Sequence, residues 1–201
     1  GGRGGGVSEL GRRLVHASGG IPAAAYAVGV LPWRWLQYLL TAAVVVVAVL
    51  EFLRLTVGLD WAVYDRLTRE YEADNVAGYA LYVLSMAAVA WLFPPPVAVA
   101  GMLMLAVGDP ISGALSRRTA AETKRPSTLA AMFGVCFLVA LPLLVRTAAT
   151  PAAALSAAAG ALGATVADGA KPVVAGYVVD DNLTIPPAAA LAMTAVLAVV
   201  A

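Results

Sequence analysis

Residues 151–172 open at Pro151, run through Ala157-Ala158-Ala159-Gly160-Ala161-Leu162-Gly163-Ala164, and end at Ala167-Asp168-Gly169-Ala170-Lys171-Pro172. Nothing before Asp168 in this stretch is ionisable, and its apolar part, Pro151–Ala170, has the length of about 20 residues that an α-helix needs to cross a bilayer. Gly160 and Ala164 stand four apart, and such small side chains let helix backbones approach closely where van der Waals contact drives association. We read them as a packing surface. Directly afterwards, Val178-Val179-Asp180-Asp181-Asn182-Leu183-Thr184-Ile185-Pro186 opens a second apolar run, Leu183–Ala201. Between the two runs lie three carboxylates (Asp168, Asp180, Asp181), the amine of Lys171 and the amide of Asn182. Ionisable groups at membrane depth are expensive and by default mark a functional site.

The whole chain supports a membrane reading. Its 201 residues are 61% hydrophobic with a mean hydropathy of +0.85, against roughly 45–50% apolar residues in soluble domains. Further candidate spans lie at Leu14–Leu31, Trp35–Val57, Ala77–Phe93, Val97–Leu115 and Thr128–Val145. The expected fold is therefore all-α, a polytopic transmembrane helical bundle of about seven spans. Residues 1–8, glycine-rich at Gly1-Gly2-Arg3-Gly4-Gly5-Gly6, read as a flexible leader, and 9–201 as a single integral membrane domain. The polar insertion Asp60–Asn75 places Trp61, Tyr64, Leu67 and Tyr71 at helical spacing, which suits a connecting amphipathic helix in the interface.

Lys and Arg distribute unevenly over the alternating loops. Eleven of the 13 (Arg3, Arg12, Arg13, Arg54, Arg66, Arg69, Arg117, Arg118, Lys124, Arg125, Lys171) fall on the side of the amino terminus, and Arg34 and Arg146 on the other. By the positive-inside rule the amino terminus is expected in the cytoplasm. Asp109, Asp168, Asp180 and Asp181 lie near that same face, so a site in a multi-pass cell-membrane protein is expected at its cytoplasmic side.

Charge and composition exclude several functions. A net charge of +1, with no basic stretch interleaved with aromatics, gives no support for nucleic-acid binding. One histidine, His16, and one cysteine, Cys136, leave little basis for a Ser-His or Cys-His nucleophile or a zinc site. A metal would sit on oxygen ligands, which suits Mg2+ or another divalent cation. Neither a Walker loop nor a kinase catalytic loop occurs.

Other residues fit a polyphosphate chemistry. Glu9, Arg12 and His16 share one helical face, with Arg13 able to pair with Glu9. Glu51 and Arg54 read as an intrahelical ion pair. Gly108-Asp109-Pro110-Ile111-Ser112-Gly113 sets a carboxylate in a loosened helix, tolerated at membrane depth only where backbone lines a cavity or packs on protein. Arg117, Arg118, Lys124 and Arg125 precede Pro126-Ser127-Thr128, where cations and helix-start hydroxyls can cradle phosphates. Acids and cations gathered at one face suit phosphoryl or nucleotidyl transfer.

Three of these stretches resemble the dolichol kinase and phytol kinase family, which is related to phosphatidate cytidylyltransferases. Glu9-Leu10-Gly11-Arg12-Arg13-Leu14-Val15-His16 is similar to the family's Glu-x-x-Arg-Lys-x-x-His opening, with Arg13 in place of lysine. Gly108-Asp109-Pro110-Ile111-Ser112 resembles its Gly-Asp-x-x-Ala/Ser span, and Asp180-Asp181-Asn182-Leu183-Thr184-Ile185-Pro186 its Asp-Asp-Asn-Leu-Thr-x-Pro ending. One segment departs: where the family carries Lys-Thr-x-Glu-Gly-Ser, this chain has Lys124-Arg125-Pro126-Ser127-Thr128-Leu129. The resemblance implies transfer of the γ-phosphate of a nucleoside triphosphate, with CTP as co-substrate, to the hydroxyl of an isoprenoid alcohol drawn from membrane lipid. It implies Asp109, Asp180 and Asp181 as catalytic groups, with the metal on Asp109, Asp168 and Asp181. Arg12, Arg13, Arg117, Lys124, Ser127, Thr128 and Lys171 would bind the nucleotide phosphates, and His16 and Asn182 would place a substrate. Two rivals share the ingredients. A CTP:phospholipid cytidylyltransferase would transfer CMP, although that family's longer Lys-Asp and His-Gly-Gly signature is missing. A membrane transporter would be expected to show inverted halves and charges toward the midplane.

Overall fold

A computed structural model describes residues 16–58, 68, 75–116, 124–170, 173–174 and 177–200. The fold is helical, with one short β ladder. Helix α1 spans Ile21–Ala27, α2 Trp33–Phe52, α3 Gly78–Leu92, α4 Pro95–Leu103, α5 Asp109–Leu115, α6 Pro126–Leu144, α7 Thr150–Gly169 and α8 Asp181–Val200. Two π-helical turns extend this pattern, Leu53–Val57 after α2 and Met104–Gly108 between α4 and α5. Strands β1 (Val173–Val174) and β2 (Tyr177–Val178) pair antiparallel between α7 and α8.

Proline punctuates the helices. Pro22, Pro126 and Pro151, and the pair Pro95-Pro96, stand in first turns, where a missing N–H costs nothing because that donor has no intrahelical acceptor. Phe93, just before Pro94, is forced into extended backbone (φ −125°, ψ 156°) and ends α3.

Among the described residues five helices are long and apolar enough to cross a membrane: Trp33–Val57, Pro95–Leu115, Pro126–Leu144, Thr150–Gly169 and Asp181–Val200. This corrects the expectation of about seven. The proposed first span, Leu14–Leu31, is broken after a helical turn at 16–18 by Gly19 and Gly20. Pro22 has no N–H to return to the Ser18 carbonyl, so the preceding turn cannot run on into α1. The break is also packed, since a Cβ on Gly19 would lie 2.6 Å from the Tyr82 ring. The proposed third span is realised as the 15-residue α3, about 22 Å long, against a hydrocarbon core of about 30 Å. The leader 1–8, most of the 60–75 insertion, and Arg12, Arg13, Arg117 and Lys171 lie outside the described residues.

Pro95–Leu115 is the central element: 61% of its apolar window is buried, against 22% for Trp33–Val57 at the periphery. α1, α3, α6 and α8 all pack on α4, and α7 is sandwiched between α6 and α8. All five methionines (Met86, Met102, Met104, Met132, Met193) are fully or almost fully buried, their flexible chains filling the irregular gaps that alanine and glycine surfaces leave. Polar cross-links are few. Gln37 Nε2 donates to Ala90 O (2.9 Å) and Trp91 Nε1 to Thr41 Oγ1 (3.0 Å), fixing α2 on α3.

Small residues set the closest crossings. A Cβ on Gly163 would stand 2.8 Å from the Ala188 carbonyl of α8, whereas one on Gly134 of α6 meets nothing within 4 Å. Backbone cannot yield as a side-chain tip can, so Gly163→Ala is expected to cost about 1–3 kcal/mol by overpacking. Gly134→Ala should cost nothing. Thermal melts of both variants in detergent check this, and equal melting temperatures would contradict it.

Candidate functional site

Proline 110 shapes the centre of the site. It cannot donate to the Ala106 carbonyl, and its ring crowds that oxygen, so the hydrogen-bond ladder widens to the π turn Met104–Gly108 just before Asp109. Such turns recur at functional sites because the extra residue re-aims the side chains that follow. A Cβ on Gly108 would lie 2.8 Å from Met132 Sδ, so the widened turn needs glycine to sit against α6.

Pro186 does similar work in α8. Its missing N–H leaves the Asn182 carbonyl without a helical donor, and Ser85 Oγ of α3 supplies one at 2.7 Å. α4 reaches the same point, where a Cβ on Gly101 would lie 3.0 Å from Pro186 O. The first turn of α8 is thus held from two sides.

Carboxylate oxygens of Asp109, Asp168 and Asp181 all lie within 4.8 Å of one another. They come from the start of α5, the last turn of α7 and the start of α8, far apart in sequence. Asp168 has no exposed surface. Its Oδ2 accepts from Ser112 Oγ at 2.7 Å, and its Oδ1 from Lys124 Nζ at 2.6 Å, while Lys124 also donates to Ser112 Oγ at 3.0 Å. His16 Nε2 lies 3.5 Å from Asp109 Oδ2. The imidazole meets the Tyr82 ring edge to face with centroids 4.6 Å apart, and the Tyr82 hydroxyl donates to His16 O at 3.0 Å.

Two carboxylates about 5 Å apart repel by roughly 3 kcal/mol at an effective dielectric near 20, and the Lys124 ammonium lies against one of the three, Asp168. Asp168 also sits at the negative end of the α7 dipole, where a cation rather than an anion is favoured. Asp181, at the positive end of α8, is better placed.

A polar atom next to this cluster lacks a partner. Asn182, in the first turn of α8, is 9% exposed, and its Oδ1 is buried with no hydrogen-bond partner among the described residues. Leaving such an acceptor unmet costs about 1–3 kcal/mol.

Asp180 directly precedes α8. Its Oδ1 accepts from Asn182 N at 2.9 Å, the N-cap bond of α8. Ser127 and Thr128 lie in the first turn of α6, Ser127 exposed and Thr128 buried. Glu51 and Arg54 form the expected ion pair at 2.7 Å. They do more than pair within the helix: Glu51 Oε2 accepts from Ala77 N at 3.0 Å, its Oε1 accepts from the Tyr79 hydroxyl, and Arg54 donates to Asn75 O at 2.5 Å. Tyr82 and Ser85 were not singled out in the sequence, and Ser112 only as the last position of the Gly-Asp-x-x-Ala/Ser stretch. Tyr82 and Ser85 left one signal, two polar groups a helical turn apart inside an apolar run.

No family model, curated protein or solved structure matches the chain.

Removing Lys124 while keeping Asp168 would strand a buried charge, at a cost of about 3–5 kcal/mol. Lys124→Met is therefore expected to lower the melting temperature sharply, and adding Asp168→Asn to restore most of it. Equal stability of Lys124→Met and the parent protein in detergent would show that the pair is not what holds α6 to α7.

Proposed function

We propose that this protein is a membrane-embedded phosphotransferase that moves the γ-phosphate of a nucleoside triphosphate, CTP by the family resemblance, to the hydroxyl of an isoprenoid alcohol at the cytoplasmic end of the bundle. One observation carries the reading: three carboxylates from three helices meet within 4.8 Å beside Lys124 and His16, at one end of an otherwise apolar structure. Phosphoryl transfer asks little covalent chemistry of a protein, because positioning and charge neutralisation account for most of the catalysis. An acid cluster at the end of a lipid-facing bundle fits a triphosphate arriving from water and an alcohol arriving from the bilayer.

The donor set fits a hard divalent cation such as Mg2+, which binds through one or two carboxylates and otherwise keeps water and phosphate oxygens. Asp109 and Asp181 would hold it, with Asp168 beside them already engaged by Lys124 and Ser112. When bound, the cation supplies charge neutralisation to the acids and to the nucleotide phosphates. Asp109 is placed to accept the proton of the alcohol, with His16 3.5 Å away to share it. The amide of Asn182 offers an acceptor to a substrate donor. Lys124 brings a fixed positive charge to the phosphate side, and by the family resemblance Arg12, Arg13, Arg117 and Lys171 would bind phosphates as well. Asp180 serves as the cap of α8.

The test supplies purified protein with a polyprenol and CTP labelled separately at the α and γ phosphates. Label reaching lipid from the γ position is expected, and it should vanish in excess chelator. Label from the α position would indicate a cytidylyltransferase, and none from either would return the transporter to consideration. Asp109→Asn and Asp181→Asn should remain folded and inserted yet lose on the order of 100-fold or more in turnover. Asp180→Asn, which keeps a good cap, should stay within a few-fold of the parent. For sidedness, a cysteine at position 118 of a Cys136-free variant should label from the cytoplasmic side, and labelling only from outside would reverse the orientation.

A further inference from the structure

A groove of about 510 Å³ runs along the outer surface between α7 and α8. Its floor is made of Ala159 and Gly163 from α7 and Ala188 and Ala192 from α8, with Leu162 and Val166 rising as one wall. Both of those wall residues are more than half exposed. At one end the groove reaches Ala170 and Thr184, where α7 stops and α8 begins. Because the two helices run antiparallel, Ala159 and Ala192 mark its far end, about 16 Å along the helix axis from Ala170.

Helix α8 connects this groove to the acid cluster. Asp181, Thr184, Ala188 and Ala192 stand at i, i+3, i+7 and i+11, so they share one face of the helix. Asp181 is thus both the head of the apolar stripe and one of the three carboxylates that meet within 4.8 Å. The floor at Gly163 and Ala188 is set by the close crossing of the two helices, and Thr184, at its end, lies one turn from Asp181.

We infer that the α7–α8 groove seats the apolar chain of the acceptor alcohol, with the hydroxyl end at Asp181 and the chain running toward Ala159 and Ala192. This rests on the phosphotransferase reading above and adds to it the location of the lipid. The groove covers about half of a hydrocarbon core of about 30 Å, so the protein reads the first part of the chain and the remainder lies in the bilayer. Selection then acts on the hydroxyl-proximal units and not on total chain length.

The experiment places the protein in phosphatidylcholine nanodiscs with a polyprenol that carries a diazirine near its hydroxyl end, and maps the photolabelled residues by mass spectrometry. Labelling is expected on α7 and α8 around Gly163 and Ala188 and should be competed by unlabelled polyprenol. Ala188→Phe, which fills the groove, should cut that labelling, whereas Leu191→Phe, three positions on, exposed and outside the groove lining, should leave it intact. Should Ala188→Phe not fold, Ala159→Phe fills the same groove from the other helix. In the phosphate-transfer assay, the groove variant should lose on the order of tenfold with a long-chain alcohol, the worth of about two buried methylenes, and little with a short one. Competed labelling without phosphate transfer would keep the groove as a lipid site while removing the kinase reading. Uncompeted labelling spread over α2 and α6 would overturn the groove, as would equal labelling of it by a diazirine phosphatidylcholine or cross-links to a second copy of the chain. Phosphate transfer that persists with an unlabelled groove would overturn this inference alone.

Discussion

A carboxylate with no exposed surface, at the negative end of its own helix, cannot be left alone. Asp168 is that group, and the ammonium of Lys124 and hydroxyl of Ser112 are what make its burial tolerable. These three side chains belong to α7, to the residues that lead into α6, and to α5. Burying the charge therefore ties three helices together at one end of the bundle. In a lipid environment, where hydrophobic burial gives helices little reason to prefer one another, such a polar tie carries more of the burden of specifying which helices meet. It also fixes Asp168 in place, so that the neighbouring Asp109 and Asp181 face a site whose geometry is set in advance.

The second constraint comes from proline. Every Pro inside a helix removes a donor and leaves a carbonyl that must find another partner or face a penalty. At Pro110 the ladder relaxes into a π turn, and at Pro186 a serine from another helix fills the gap. In both cases the irregularity sits within a turn of a clustered carboxylate. At these two prolines a backbone defect and an acidic group occur together, as expected where backbone polarity is tolerated only when packed on protein.

Much of the architecture could be read from hydropathy, and the reasons for the misses are physical. Spans at Val97–Leu115, Thr128–Val145 and Pro151–Ala170 match helices nearly to the residue, because prolines mark their starts and apolar runs fill one span length. The stretch Leu14–Leu31 is as apolar on average, but averaging hides Gly19, Gly20 and Pro22, which stop a helix from continuing. Asp109, Asp168 and Asp181 stood out as charges in apolar surroundings, and the fold brings them together. That Asp180 caps a helix while its neighbour Asp181 joins the cluster could not be read from adjacent identical residues, since one helical step decides which way each points. Ser112 could be read as part of the Gly-Asp-x-x-Ala/Ser stretch, but its bond to Asp168 could not, since nothing local shows which distant residue a hydroxyl will meet. The same holds for the bond from Ser85 to the Asn182 carbonyl.

The knot of Glu51, Arg54, Asn75, Ala77 and Tyr79 holds the two ends of the intervening segment in a single hydrogen-bonded junction. The connection between positions 58 and 75 is therefore a circuit closed at its base. Lengthening such a circuit costs only slowly growing closure entropy, about 0.6 kcal/mol for each doubling. The helices on either side do not depend on its length for their spacing. This makes the segment the natural place to graft a rigid soluble fusion as a fiducial marker, and a region in which insertions can accumulate without disturbing the membrane-embedded core.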